Sequence, residues 1–287
     1  MAVKRPRARE CETPPVKIVV VGHVEWVEFA RVEHVPQAGE IVHVTETWEE
    51  AAGGGAVAAV QLARLGVETT LFTAFGNDEL GRRSRAQLTE QGVSVRAVVT
   101  PEPQRRALTF VDANGERTIT VLGDKLRPSG RDGRLPWEEL ARADAAYFVS
   151  GDDAALHAAR RAPLLVATAR EIETLREGAV ELDALVGSGE DPGERYGPGE
   201  LEPRPHLVVT TAGALGGWMN PGGPYLAAPL PGPVEDAYGC GDCFTAGLTF
   251  ALAEGRSPEE AVELGARCGA AVLTGRGAYA GQLSLVE

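Results

Sequence analysis

Sulfur and long apolar runs are scarce in this chain: four cysteines and two methionines in 287 residues, and no stretch approaching the roughly 20 consecutive apolar residues that a bilayer helix needs. Cys11, Cys240, Cys243 and Cys268 lack the spacing of a disulfide framework, which implies reduced thiols and a cytoplasmic setting, with no membrane partner. Positive charge is short as well. With 28 basic against 41 acidic residues the net charge is -13, which argues against nucleic acid or an anionic membrane as a general partner. An anionic substrate therefore needs a local device, a helix start or a metal ion. The first ten residues are charged and contain no apolar core, so residues 1–14 read as a loose tail and not a signal peptide.

What is present is an ordinary globular composition, 44% apolar and 24% charged, enough for a single α/β domain over residues 15–287. Its organising stretch is residues 236–255. Gly239 and Gly241 bracket Cys240, Asp242 follows at once, and helix formers continue to Gly255. A helix start presents unpaired N–H groups with partial positive charge behind them, and glycine lets an anion come close. Asp242 beside such a cradle can accept a proton from an approaching hydroxyl, which is what phosphoryl transfer requires. Two other readings remain open on this stretch alone. Asp242 can be a capping carboxylate on a plain tight turn, and Cys240 with Cys243 forms a C-x-x-C pair at a helix start.

Elsewhere the pattern is βα. Residues 16–21 form a β-branched run expected in a central strand, and residues 29–35 and 41–47 read as a hairpin standing off the sheet. Gly53 and Gly54 open an alanine-rich helix that stops at Gly66. Strands are expected at 69–74, 95–100, 107–112 and 118–122, the last two joined through Asn114-Gly115. Asp78 is placed to cap a helix ending at Gly92, and Ser257-Pro-Glu-Glu260 is a capping box. Strands at 140–149, 164–167, 182–186 and 207–211 alternate with helical stretches, so a mostly parallel sheet with crossover helices is expected.

The order Asp236, Gly239, Gly241, Asp242, Phe244 resembles the C-terminal signature D-T-x-G-A-G-D-x-F of the ribokinase-like (PfkB) carbohydrate kinases, with Ala237 and Cys240 in place of Thr and Ala. The Gly53-Gly54 helix with its Ala-Arg-Leu-Gly ending is similar to the N-terminal signature, and the resemblance spans residues 16–278. It implies a three-layer α/β/α fold with a small β lid, contributed by residues 27–50 and 95–123, and a homodimer formed through that lid. It also implies an ATP-dependent phosphotransferase acting on an alcohol of a sugar-like molecule, with Mg²⁺.

Residue by residue, the resemblance gives Asp242 as base and the amides of Gly239, Cys240 and Gly241 as anion hole. Gly53 and Gly54 face the acceptor, and Thr211, Gly213, Gly216, Asp236, Gly277 and Ala278 serve the nucleotide. Glu190 stands at the metal position. Three positions depart from the family pattern. Val27 replaces a sugar-binding Asp, Val57 replaces an Asn, and Gly187 replaces the Asn of Asn-x-x-Glu. Glu25, Glu28 and Trp26 are the nearby substitutes, Trp26 as a surface for a nucleoside base. Those departures keep two alternatives in view, a nucleoside kinase and a catalytically silent relative that binds a metabolite or nucleotide.

Overall fold

The structure, a computed structural model, describes residues 15–285. The expected tail, 1–14, lies outside the described residues. The chain opens with β1 (Lys17–Val21), β2 (Glu25–Arg31), β3 (Glu46–Ala52) and α1 (Gly54–Arg64). It continues through β4 (Glu68–Gly76), α2 (Glu79–Glu90), β5 (Ser94–Thr100), β6 (Arg106–Val111) and β7 (Arg117–Leu122). The second half runs β8 (Ala145–Phe148), α3 (Asp153–Ala159), β9 (Leu164–Thr168), α4 (Ile172–Gly178), β10 (Ala184–Ser188) and β11 (Leu207–Thr211). It closes with β12 (Gly217–Asn220), β13 (Gly223–Tyr225), α5 (Cys240–Ala253) and α6 (Pro258–Val272).

Nine strands form one sheet in the order β13-β12-β11-β10-β9-β8-β1-β4-β5. All its pairings are parallel except those of β12. Parallel strands need crossover helices on both faces, and β1 shows the result. Ile18 and Val20 belong to the apolar cluster with α1, α5 and α6, whereas Val19 and Val21 belong to the cluster with α3 and α4. This is the expected α/β/α sandwich. Local signals hold as read: Asp78 Oδ1 accepts from Gly81 N at 2.9 Å, and the Ser257 capping box is reciprocal.

A second sheet, β3-β2-β6-β7, forms the small lid. Residues 95–100, expected in that lid, instead lie in β5, paired in parallel with β4 at the edge of the main sheet. The reason is topological: β4, α2 and β5 make a strand–helix–strand crossover, which returns the chain beside its first strand. The hairpin at the front of the lid also sits earlier and later than its expected bounds. It pairs Glu25 with Ala52 through Arg31 with Glu46, because this register turns Val27 and Phe29 inward.

The lid is fastened to the body along one seam. Phe29 stacks on Trp48 with centroids 4.8 Å apart and meets Tyr238 edge-on at 5.1 Å. Glu50 Oε1 accepts from Ala278 N at 2.6 Å, and the Tyr279 hydroxyl donates to the Ala51 carbonyl. At the far edge all six residues of β7 are exposed.

Candidate active site

Asp236, Tyr238 and Gly239 shape the turn before α5. Asp236 is fully buried, and its carboxylate accepts from Tyr238 N at 2.9 Å and from Gly277 N at 3.0 Å. Gly239 then takes φ +80°, a conformation that favours glycine, and a Cβ there would stand 2.8 Å from Val57 Cγ1. The first turn of α5 thus begins at Cys240 with its amides pointing outward. Nothing obstructs it on that side, since a Cβ on Gly241 would meet no atom within 4 Å.

Asp242 lies in this first turn, and its carboxylate reaches across to the start of α1. A Cβ on Gly54 would stand 2.8 Å from Asp242 Oδ1 and 2.8 Å from Val149 Cγ1. The two glycine signatures, far apart in sequence, therefore meet at one carboxylate. Desolvation pushes the Asp242 carboxyl up to about 7; the Glu194 charge adds to this, while Arg170 and Arg117 oppose it. A carboxylate near that value holds or releases a proton around neutral pH, as a general base requires.

The parallel strands deliver their carboxyl ends to one side, and side chains just beyond those ends order the site. After β11 comes the turn of Thr211, Gly213 and Gly216. After β10 come Glu190 and Glu194, after β9 Arg170 and Glu171, and after β1 His23. Both carboxylate oxygens of Glu190 stand 2.9–3.0 Å from the Cβ position of Gly213, so Glu190 lies beside the proposed nucleotide turn. Glu194 and Asp191 are both paired with Arg170, at 2.8 Å from Nε and 2.5 Å from Nη2 respectively.

Next to the turn, a cleft of about 640 Å³ is lined by Tyr225, Ala227 and Pro229 on one wall and by Val262, Ala266 and Ala271 of α6 on the other. It adjoins the cradle. A Cβ on Gly269 of α6 would lie 3.2 Å from the Cys240 carbonyl oxygen, and the Tyr225 ring is 6.1 Å from that of Phe244.

Several expected site residues take other roles. Val27 and Val57 are fully buried, Val57 beneath Gly239, so neither side chain is exposed at the site surface. The side chain that faces the Gly53 turn is Glu25, whose Cγ is 3.2 Å from the Cβ position of Gly53. Glu28 turns to the other face of β2 and pairs with Arg106. Trp26 shares that outer face; it is 3% exposed, and Arg83 lies 4.2 Å over its ring, so it offers no surface to a nucleoside base. Gly277 and Ala278 are buried, held through their amides by Asp236 and Glu50, and support the cradle without lining the cleft. The thiols of Cys240 and Cys243 are both pushed up by burial, the opposite of an activated redox pair.

Residues that sequence reading missed surround these groups: Arg117, Arg170 and Glu194 near Asp242, His23, Arg105 and Lys125 near Glu25, and Arg127 near His23. Position just after a strand's carboxyl end was a usable signal for His23 and Arg170. Among the described residues no group of three or more His, Cys, Asp or Glu side chains converges as a metal site. Mg²⁺ asks for less, one or two carboxylates plus phosphate oxygens and water, and Glu190 offers such an oxygen donor beside the turn.

Comparison with known proteins agrees with this architecture. The family model described as pfkB family carbohydrate kinase matches residues 16–162 and 149–284. The chain is 24% identical over 285 residues to an ATP-dependent ribose-1-phosphate kinase of Halopiger xanaduensis, covering 89% of this chain and 91% of that one. It is 28% identical over 277 residues to a fructokinase of Salmonella typhimurium, with 78% and 87% covered. Among solved structures, ribokinase from Thermotoga maritima superposes with a TM-score of 0.75 at 21% identity, over 94% of this chain and 96% of that one. Arabidopsis thaliana ribokinase complexed with ribose and ATP superposes with a TM-score of 0.68 at 21% identity, over 92% and 94%.

Proposed function

This chain belongs to the pfkB family of carbohydrate kinases, and from that premise we propose that it transfers the terminal phosphoryl group of ATP to a hydroxyl of a sugar or sugar-like molecule. One observation carries the proposal. Asp242 stands in the open first turn of α5 while its carboxylate touches the Gly54 turn of α1, so a base, an anion cradle and an acceptor-facing glycine turn share one space.

In this reading the adenosine lies along the cleft between residues 225–231 and α6, with the phosphates passing the turn of Thr211, Gly213 and Gly216. Asp242 takes the proton of the acceptor hydroxyl as the new P–O bond forms. The amides of Gly239, Cys240 and Gly241 hold the charge on the transferred group. Arg117 and Arg170, whose charges reach Asp242, offset the same negative charge. Asp236 keeps the turn in shape by holding two backbone amides. Glu190 would offer Mg²⁺ a carboxylate oxygen, and the ion would supply neutralisation of phosphate charge.

ADP formation measured across free sugars, sugar phosphates and nucleosides tests the proposal. At least one acceptor is expected to be turned over. Binding of ATP with no acceptor turned over, phosphorylated sugars included, would favour the silent, ligand-binding alternative.

A further inference from the structure

One cluster near the active site has no part in the mechanism above. His23 follows β1, and its Cδ2 lies 3.3 Å from the Cβ position of Gly53. Its Nε2 is 3.7 Å from Glu25 Oε1, while its Nδ1 is buried with no hydrogen-bond partner. Arg105, which leads into β6, sets its Nε 2.9 Å from the same Glu25 oxygen. Lys125 and Arg127, in the strand-free segment after β7, both pair with the buried Glu171, at 3.0 Å and 3.4 Å.

Three permanent cations, Arg105, Lys125 and Arg127, therefore face two carboxylates, Glu25 and Glu171. This surplus is local and runs against a net charge of -13 for the whole chain. The carboxylates do not cancel it evenly, because burial pushes the Glu25 carboxyl up and favours its neutral form. The same surroundings hold the His23 ring well below its ordinary value, through burial first and then the charges of Lys125, Arg105 and Arg127. A neutral buried imidazole among cations, with one ring nitrogen unpartnered, is arranged to give a hydrogen bond to something negative.

Position decides whose negative charge this is. The nucleotide turn follows β11 and His23 follows β1, four strand spacings away in the sheet, which is about 19 Å. Gly53, whose Cβ position lies 3.2 Å from Glu25 Cγ and 3.3 Å from His23 Cδ2, adjoins Gly54, whose Cβ position lies 2.8 Å from Asp242 Oδ1. The cluster thus lies beside the Gly53–Gly54 turn and Asp242, away from the turn of Thr211, Gly213 and Gly216.

We propose that the acceptor already carries a phosphate group, seated on Arg105, Lys125 and Arg127 with the His23 Nδ1 proton donated to it, so that the enzyme adds a second phosphoryl to a sugar monophosphate. This rests on the kinase reading and deepens it. The reaction is balanced as the ordinary transfer: the terminal P–O bond of ATP breaks, a new ester bond forms at the free hydroxyl, and Asp242 takes the proton.

The test offers each of several pentoses and hexoses as the free sugar and as its monophosphate, with ADP formation as readout. At least one monophosphate is expected to exceed its free sugar in kcat/KM by about 100-fold, the worth of two charge-assisted hydrogen bonds. Arg127→Gln, at a half-exposed position, and Lys125→Gln should each raise KM for that monophosphate by about 10-fold with little change in kcat, shrinking the preference. Thermal shift with the monophosphates and a non-hydrolysable ATP analogue gives a second readout independent of turnover. If a free sugar is turned over faster than every monophosphate, the phosphate site is overturned while the kinase reading stands. If nothing is turned over but monophosphates raise the melting temperature, and Arg127→Gln removes the rise, the site is supported while the kinase reading fails. If neither turnover nor shift is seen with any monophosphate, the proposal is overturned.

Discussion

Asp242→Asn is expected to lower kcat by about 100- to 10,000-fold, the usual worth of a positioned base, while ATP still binds with near-normal affinity. The same substitution is expected to stabilise the protein above neutral pH. In the folded chain the Asp242 carboxyl is raised to about 7 from an ordinary 3.8, chiefly by desolvation. Between those values the folded state binds more protons than the unfolded one, so this group's contribution is full below about pH 4 and is lost as pH rises through about 7. An amide of nearly the same shape escapes that loss. At pH 8 the variant should therefore be more stable by on the order of 2 kcal/mol, a rise of several degrees in Tm, with a flatter dependence of Tm on pH. Urea titrations and calorimetry at pH 5 and 8, beside ATP binding and turnover, check all three parts. A variant that turns over at the wild-type rate would remove Asp242 from the reaction.

Gly54→Ala carries the second large effect. The added methyl would arrive 2.8 Å from both Asp242 Oδ1 and Val149 Cγ1, closer than carbon normally approaches either. Val149 is buried and anchored at the end of β8, so the freer partner, the carboxylate, is the one to move. A displacement of about 1 Å at a reacting group typically costs about 100-fold in rate. We expect kcat/KM to fall by that factor while the fold survives, because alanine at the first turn of α1 is a good helix former and Gly54 does not require a positive φ. Circular dichroism with steady-state kinetics separates the two effects. An unchanged rate in the folded variant would mean that the Gly54 turn does not set the position of Asp242.

The parts of the site that were legible in the sequence are those whose geometry is local. A glycine turn opening a helix announces its amides, so Gly239, Gly241, Asp242, Gly53 and Gly54 could be named from a few neighbouring letters. What could not be read is which face a side chain takes when the lid folds. Val27 stands where the family pattern has an acceptor-binding Asp, yet the inward register of β2 buries it and presents Glu25 to the turn two residues earlier. Trp26 had the chemistry of a stacking surface, but alternation along the same strand sends it to the outer face under Arg83.

The cations were invisible for a different reason. Arg105, Lys125 and Arg127 flank the β6–β7 hairpin in sequence; pairing of β6 with β2 sets Arg105 beside Glu25, and packing of the segment after β7 sets Lys125 and Arg127 beside Glu171. Residues 95–100 show the converse. A strand, a helix and another strand in succession already implied a parallel crossover, and that signal outranked grouping them with the lid that follows.

A crystal structure with a non-hydrolysable ATP analogue and the acceptor bound would test the central claim most directly. The account predicts the terminal phosphate against the amides of residues 239–241 and an acceptor hydroxyl within hydrogen-bond reach, about 2.6 to 3.2 Å, of an Asp242 oxygen. A terminal phosphate held elsewhere, or an acceptor hydroxyl that cannot reach Asp242 once the site is filled, would contradict it.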